Sequence, residues 1–141
     1  MKVLLVDDSA GLRARLAQMV REVCGMDCVR EAGDAESALE IARAWIPDVV
    51  VLDIRMPGTS GLAILPQLKA ASSSSVVIML TNEASEHHRR QSISIGADYF
   101  FDKSKDFARV VDVVGEMLTK LGETSHGRSG GPPMGRDRNA T

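Results

Sequence analysis

A chain of 141 residues, 44% hydrophobic and 26% charged, is long enough for one domain with a substantial core and has the composition of an ordinary globular protein. Its formal net charge of -2 gives no support to direct nucleic-acid binding through a basic surface. No apolar run approaches the roughly 20 residues needed to span a bilayer, and the run after Met1-Lys2 is too short for a secretory signal, so no membrane association and a cytoplasmic location are expected.

Met1 to Val6 reads as a first strand, apolar and continuous from Val3 and ending at Asp7-Asp8. Ser9 is placed to cap a helix whose buried face is Leu12, Leu16, Met19, Val20 and Val23. Cys28 to Glu31 is a short second strand, and Cys24 and Cys28 read as buried reduced thiols rather than a disulfide. A second helix runs from about Asp34 to Trp45, with Ala38, Ala42 and Trp45 inward and Pro47 closing it. Val49-Val50-Val51-Leu52 is a third strand buried on both faces, and it ends abruptly at Asp53 before a loop marked by Pro57 and Gly58. Ser60 and Gly61 begin a third helix carrying Leu62, Leu65 and Leu68, with Pro66 inside it to bend it or remove one hydrogen bond.

Ser72 to Ser75 is a plain polar connection to a fourth strand, Val76 to Leu80, which ends at Thr81. A polar fourth helix covers about Ala84 to Ile95 and stops at Gly96; its adjacent His87 and His88 read as a solvated surface rather than as metal ligands. Tyr99-Phe100-Phe101 is the fifth strand, ending at Asp102-Lys103, and Ser104 is placed to cap an amphipathic helix built on Phe107, Val110, Val111, Val114, Leu118 and Leu121. Residues 122–141 hold five glycines and two prolines and read as a disordered Gly/Pro/Ser-rich tail, which leaves 1–121 as the domain.

Five strands alternate strictly with five helices, so an α/β fold with a parallel sheet covered on both faces is expected. In such a sheet the polar groups at the strand ends lie along one edge, in the crevice where open α/β sheets bind ligands. Asp7, Asp8, Asp53, Thr81 and Lys103 would then meet, though far apart in sequence. Two unit charges about 4 Å apart repel by about 4 kcal/mol at an effective dielectric near 20, so three gathered carboxylates imply a divalent cation. All-oxygen ligation suits Mg2+, with Mn2+ as the second choice, and phosphate oxygens are the usual occupants of such a metal's open positions. Lys103 supplies a point charge and Thr81 a hydroxyl for that phosphate. Asp53, alone on the central strand, is the candidate nucleophile.

Taken together, Asp7-Asp8, Asp53 with Met56-Pro57-Gly58, Thr81 and Lys103 resemble the receiver domains of two-component response regulators, of the chemotaxis-regulator kind, over about residues 1–121. The resemblance implies a flavodoxin-like fold of sheet order 2-1-3-4-5. It implies that Asp53 accepts a phosphoryl group from a sensor histidine kinase or a histidine phosphotransfer protein. Asp8, Asp53 and the backbone carbonyl of Arg55 would hold Mg2+, with Asp7 bound through water. Thr81 and Phe100 would be the switch pair, Lys103 the partner of the phosphate, and Arg55 and Glu83 the positions that tune hydrolysis. A salt bridge between Arg55 and Glu83 over the site is the expected shield. The readout would be repacking of the surface made by the fourth helix, fifth strand and fifth helix, which binds a downstream protein or a second phosphorylated copy.

Two residues depart from the common pattern of that family. Ser104 follows Lys103 where many relatives have a cis proline, and a cis bond is not expected before serine. Asn82 after Thr81 is larger than the usual residue there and narrows the room for phosphate. A dehalogenase-type phosphatase needs a second aspartate two positions after the nucleophile, where this chain has Arg55. A dinucleotide-binding domain needs a glycine-rich turn that Asp7 to Gly11 does not provide. The remaining readings are a stand-alone, non-enzymatic receiver, a receiver fragment of a larger DNA-binding or enzymatic regulator, and an unphosphorylated pseudo-receiver.

Overall fold

In the computed structural model, residues 1–126 are described, with side chains to Leu121. The elements in chain order are β1 (Val3–Val6), α1 (Ala10–Cys24), β2 (Val29–Ala32), α2 (Ala35–Trp45) and β3 (Val49–Leu52), followed by α3 (Gly61–Ala71), β4 (Val76–Thr81), α4 (Glu86–Ile95), β5 (Tyr99–Asp102) and α5 (Phe107–His126). The strands form one parallel sheet of order β2-β1-β3-β4-β5, which is the flavodoxin-like arrangement expected. Alternation along the strands divides the core in two. Val3, Leu5, Val49, Val51, Ile78, Leu80 and Phe101 face α1 and α5, where Leu16, Ala17, Val20, Val110, Val113 and Val114 cover them. Leu4, Val6, Val50, Leu52, Val77 and Met79 face the opposite side, under Ala38, Ala42, Ile64, Leu65 and Leu68.

The register places the functional edge. Val6 lies beside Leu52, and Leu52 beside Met79, while Thr81 pairs with Asp102. One further ladder bond extends the β1–β2, β1–β3 and β4–β5 pairings past the strand ends. Asp7 N donates to Ala32 O at 3.1 Å, Asp53 N to Val6 O at 3.1 Å, and Lys103 N to Thr81 O at 3.0 Å. The polar residues after β1, β3 and β5 are therefore fixed by the sheet itself.

Several local expectations are corrected. Cys24 and Cys28 form a disulfide rather than two free thiols, because the turn at Gly25 (φ 104°) brings their Cα atoms to 6.1 Å, within bridging range. Ser9 stands at the head of α1 but its side chain makes no capping bond, and Val23 on that helix is exposed. Ser104 does not cap α5, which begins three residues later at Phe107. The Ser72–Ser75 connection is not a plain surface loop. Both end residues are buried, and Ser75 Oγ donates to Pro47 O at 2.5 Å while its carbonyl accepts from Lys69 Nζ at 2.8 Å. Pro66 is accommodated inside α3 on an exposed face. Helix α5 continues to His126, past Leu121, and the remainder of the expected tail, residues 127–141, lies outside the described residues. The described peptide bonds are all trans, including Lys103-Ser104.

Candidate functional site

Four of the five strand ends at the edge share one local device. A side-chain oxygen of residue i accepts the backbone N–H of residue i+2, a short turn that Asp, Ser and Thr form readily. Asp7 Oδ1 takes Ser9 N at 2.9 Å, Asp53 Oδ1 takes Arg55 N at 3.3 Å, Thr81 Oγ1 takes Glu83 N at 3.0 Å, and Asp102 Oδ1 takes Ser104 N at 2.8 Å. Each turn bends the chain out of the sheet and locks the orientation of its polar side chain. Gly61 tightens the site from behind. Its amide donates to Ile54 O at 2.7 Å, and a Cβ at that position would collide with the Asp53 carbonyl.

Asp7 and Asp53 are nearly buried, at 8% and 6% exposure, whereas Asp8 is open to solvent. One carboxylate oxygen from each of the three lies within 4.8 Å of the others. Lys103 Nζ reaches into this group, 2.6 Å from Asp7 Oδ2 and 2.7 Å from Asp53 Oδ2. Burial works against the Lys103 ammonium, but the hydrogen bonds and charges of Asp53 and Asp7 outweigh it, and its pKa is raised above the ordinary value. Three carboxylates against one ammonium leave an excess of negative charge in an open cleft bordered by Asp8, Ser9, Arg55, Met56, Pro57, Thr81, Asn82 and Lys103. An all-oxygen donor set with uncompensated charge fits a hard divalent cation.

Thr81 is fully buried at the cleft's floor. Phe100, by contrast, is outside the cluster. It is half-buried on the α3–α4 side of the sheet, while Phe101 points the other way into the α1–α5 core. Arg55 Nε and Glu83 Oε2 form an ion pair at 2.7 Å, joining the β3–α3 loop to the β4–α4 loop. Asn82 is exposed on the rim.

Other contacts at the site had no signal strong enough to single them out. Arg13, one turn into α1, donates from Nη1 to the Asp7 backbone carbonyl and from Nε to Glu31 Oε1 at 3.0 Å, tying the Asp7-Asp8 peptide to α1 and β2. Asp102 takes both the N–H and the hydroxyl of Ser104, the latter at 2.6 Å, which holds the turn after Lys103. His88 is not simply solvated: its ring is half-buried against Glu83, with Nδ1 2.9 Å from that residue's carbonyl oxygen. Arg13 meets Glu31 only because α1 packs beside β2, whereas Ser104 and His88 lie two and five residues from their partners, in turns that helical spacing alone does not reveal.

The response regulator receiver domain model matches residues 3–115, and the chain belongs to that family. It is 45% identical over 67 residues to a protein-glutamate methylesterase/protein-glutamine glutaminase of Burkholderia thailandensis, a match covering 48% of this chain and 19% of that protein. The chain thus spans about a fifth of the length of this curated relative. Among solved structures it resembles a CheY-like response regulator receiver domain protein from Methanospirillum hungatei JF-1, with TM-score 0.76 and 23% identity over 87% of this chain and 97% of that one. A response regulator protein from Burkholderia pseudomallei, solved with a phosphorylated aspartic acid, a calcium ion and citrate, matches with TM-score 0.74 and 22% identity over 89% of this chain and 72% of that one. Receiver domains bind Mg2+ at an acidic pocket and interact with histidine kinases and downstream targets. Among the described residues no helix is long and apolar enough to cross a membrane.

Proposed function

We propose that this receiver domain is an active phospho-switch in which Asp53 is the phosphoacceptor. The observation that carries the reading is the Asp7-Asp8-Asp53 cluster with Lys103 bonded to two of its members. Asp53 is the member on the central strand, with both oxygens held: Oδ1 by the Arg55 amide and Oδ2 by Lys103. That fixed carboxylate attacks the phosphorus of a phosphohistidine on a sensor kinase or phosphotransfer protein. The P–O bond forms as the P–N bond breaks, leaving an acyl phosphate on Asp53 and a neutral imidazole once the departing nitrogen takes a proton. Asp8, Asp53 and the Arg55 carbonyl would hold Mg2+, with Asp7 acting through water; the ion, when bound, offsets charge on the phosphate oxygens. Support for a divalent ion comes from the charge excess of the cluster and from the calcium ion in the Burkholderia pseudomallei relative.

Lys103 passes from the Asp53 carboxylate to the new phosphate without leaving the cleft. Thr81 exchanges its bond to the Glu83 amide for one to the phosphate, which vacates space behind β4. Phe100, half-buried beside Met79 in the register, turns into that space and repacks α4, β5 and α5 for a protein target or a second phosphorylated copy. This scheme needs only cytoplasmic partners and no catalytic domain. A second reading, a receiver joined to an enzymatic output, is favoured by the methylesterase relative, of which the matched part is a small fraction.

Intact-mass measurement after incubation with acetyl phosphate and Mg2+ tests the reading. The protein gains about 80 Da, the mass of one phosphoryl group, and Asp53→Ala or chelation of Mg2+ abolishes the gain. An Mg2+-independent adduct, or none under conditions that outrun hydrolysis, would count against it.

A further inference from the structure

The Arg55–Glu83 bridge crosses the mouth of the cleft, because each partner lies two residues after a residue of the site, Asp53 and Thr81. Arg55 is 75% exposed, so on its own the bridge is a surface ion pair that solvent readily opens. Its persistence depends on what holds Glu83. The Glu83 amide is tied to Thr81 Oγ1, and its carbonyl oxygen lies 2.9 Å from His88 Nδ1. A carbonyl offers only lone pairs, so Nδ1 must carry a proton and donate. In the neutral ring this leaves Nε2 as an acceptor, and it faces Glu83 Oε1 at 3.9 Å. Lone pair then opposes carboxylate. Protonation places a positive charge 3.9 Å from Oε1, and Glu83 is attracted from both sides, Oε2 by Arg55 and Oε1 by His88.

We propose that His88 is a positioning residue which, when protonated, holds the Glu83 carboxylate across the cleft and lengthens the life of the phosphoryl group on Asp53. The inference rests on the phosphoacceptor reading above and adds a proton-dependent control of the same site. Other ionisable groups around α4 do not supply the same contact. His87 is on the same helix with its ring 5.8 Å from that of His88, and Glu86 pairs with Arg90 at 3.4 Å. Arg89 is exposed on that helix. From α3 the ionisable residue is Lys69, bound to Asp98 at 3.0 Å near Gly96, at the other end of α4. From β5 they are Tyr99, which stacks toward Phe101, and Asp102, which holds Ser104.

The experiment loads the full chain with acetyl phosphate and Mg2+, removes the donor, and follows loss of the adduct by intact mass from about pH 5.5 to 8.5, the range over which histidine ordinarily changes charge. Wild type is compared at each pH with His88→Ala, which carries the chemical background of acyl phosphate hydrolysis. The ratio of lifetimes is expected to be about fivefold at the acid end, the upper bias of a partly exposed ion pair, and to fall towards one at the alkaline end. Glu83→Gln should show no such pH-dependent advantage, and His88→Gln should give a ratio that does not vary with pH. Circular dichroism establishes that each variant is folded. A ratio flat across pH in wild type, or one that persists in Glu83→Gln, overturns the inference while leaving Asp53 as phosphoacceptor. Absence of any wild-type adduct overturns both.

Discussion

Replacing Lys103 with methionine removes the only ammonium that the described structure places among three carboxylates. With oxygens within 4.8 Å, each pair of carboxylates repels by at least about 3.5 kcal/mol at an effective dielectric near 20. In the wild type, contacts of 2.6 and 2.7 Å from Lys103 offset this for Asp7 and Asp53, and all three side chains are largely withdrawn from water. Removing one partner of such a buried pair costs about 3–5 kcal/mol. Methionine fills most of the lysine stem's volume and Asp8 stays solvated, so the lower end, about 3 kcal/mol, is expected. In urea denaturation at pH 7 in chelator, a slope of about 2 kcal/mol per M turns this into a midpoint lowered by about 1.5 M. Added Mg2+ supplies a replacement cation and binds only the folded site, so the variant should regain more stability from it than the wild type does. A variant within about 0.5 kcal/mol of wild type in chelator, with no response to Mg2+, would refute the reasoning, because the pair would then be worth no more than a surface bridge.

The same cluster sets a pH dependence. The folded-state pKa of Lys103 is raised above its ordinary 10.5, so its contribution to stability is fully present below that value and is lost as the pH climbs through the higher folded value. Urea midpoints should show this component intact from neutrality to about pH 10 and falling above it, and Lys103→Met should lack that fall. Asp8→Asn removes the exposed carboxylate, and isothermal calorimetry should find Mg2+ bound at least about tenfold more weakly, a change of ~1.4 kcal/mol, in a protein no less stable than wild type. Gly61→Ala drives a methyl group into the Asp53 carbonyl and towards Ile54 Cα, where the Cβ would sit 3.2 Å away. It should destabilise by about 1–3 kcal/mol and slow phosphorylation by acetyl phosphate.

The fold was legible because its signals are redundant. Apolar runs at 49–52 and 76–80 end in polar residues, helices intervene, and a one-residue error at β2, which runs Val29–Ala32 rather than Cys28–Glu31, moves nothing in the site. The strand-end residues were legible for the same reason: parallel topology leaves them one edge to share. The helix starts were not. Ser9 and Ser104 each follow an aspartate by two positions, and that aspartate takes the serine's N–H, so the short turn supersedes the expected cap at both places. Cys24 and Cys28 were misjudged because their approach depends on the positive φ of Gly25, a backbone angle that cysteine spacing does not encode. Arg13–Glu31 was invisible because it joins α1 to β2, which only the packed fold brings together, and His88–Glu83 because the bend of the loop before α4 is not encoded in helical spacing.

Mapping the phosphoryl group within the acidic cluster tests the central claim most directly. Three carboxylates share the site, and only one of them should become an acyl phosphate. After incubation with acetyl phosphate and Mg2+, borohydride reduction and peptide sequencing by mass spectrometry should place the reduced residue at Asp53 alone. Label at Asp7 or Asp8, or a modified histidine at His87 or His88, would contradict the account.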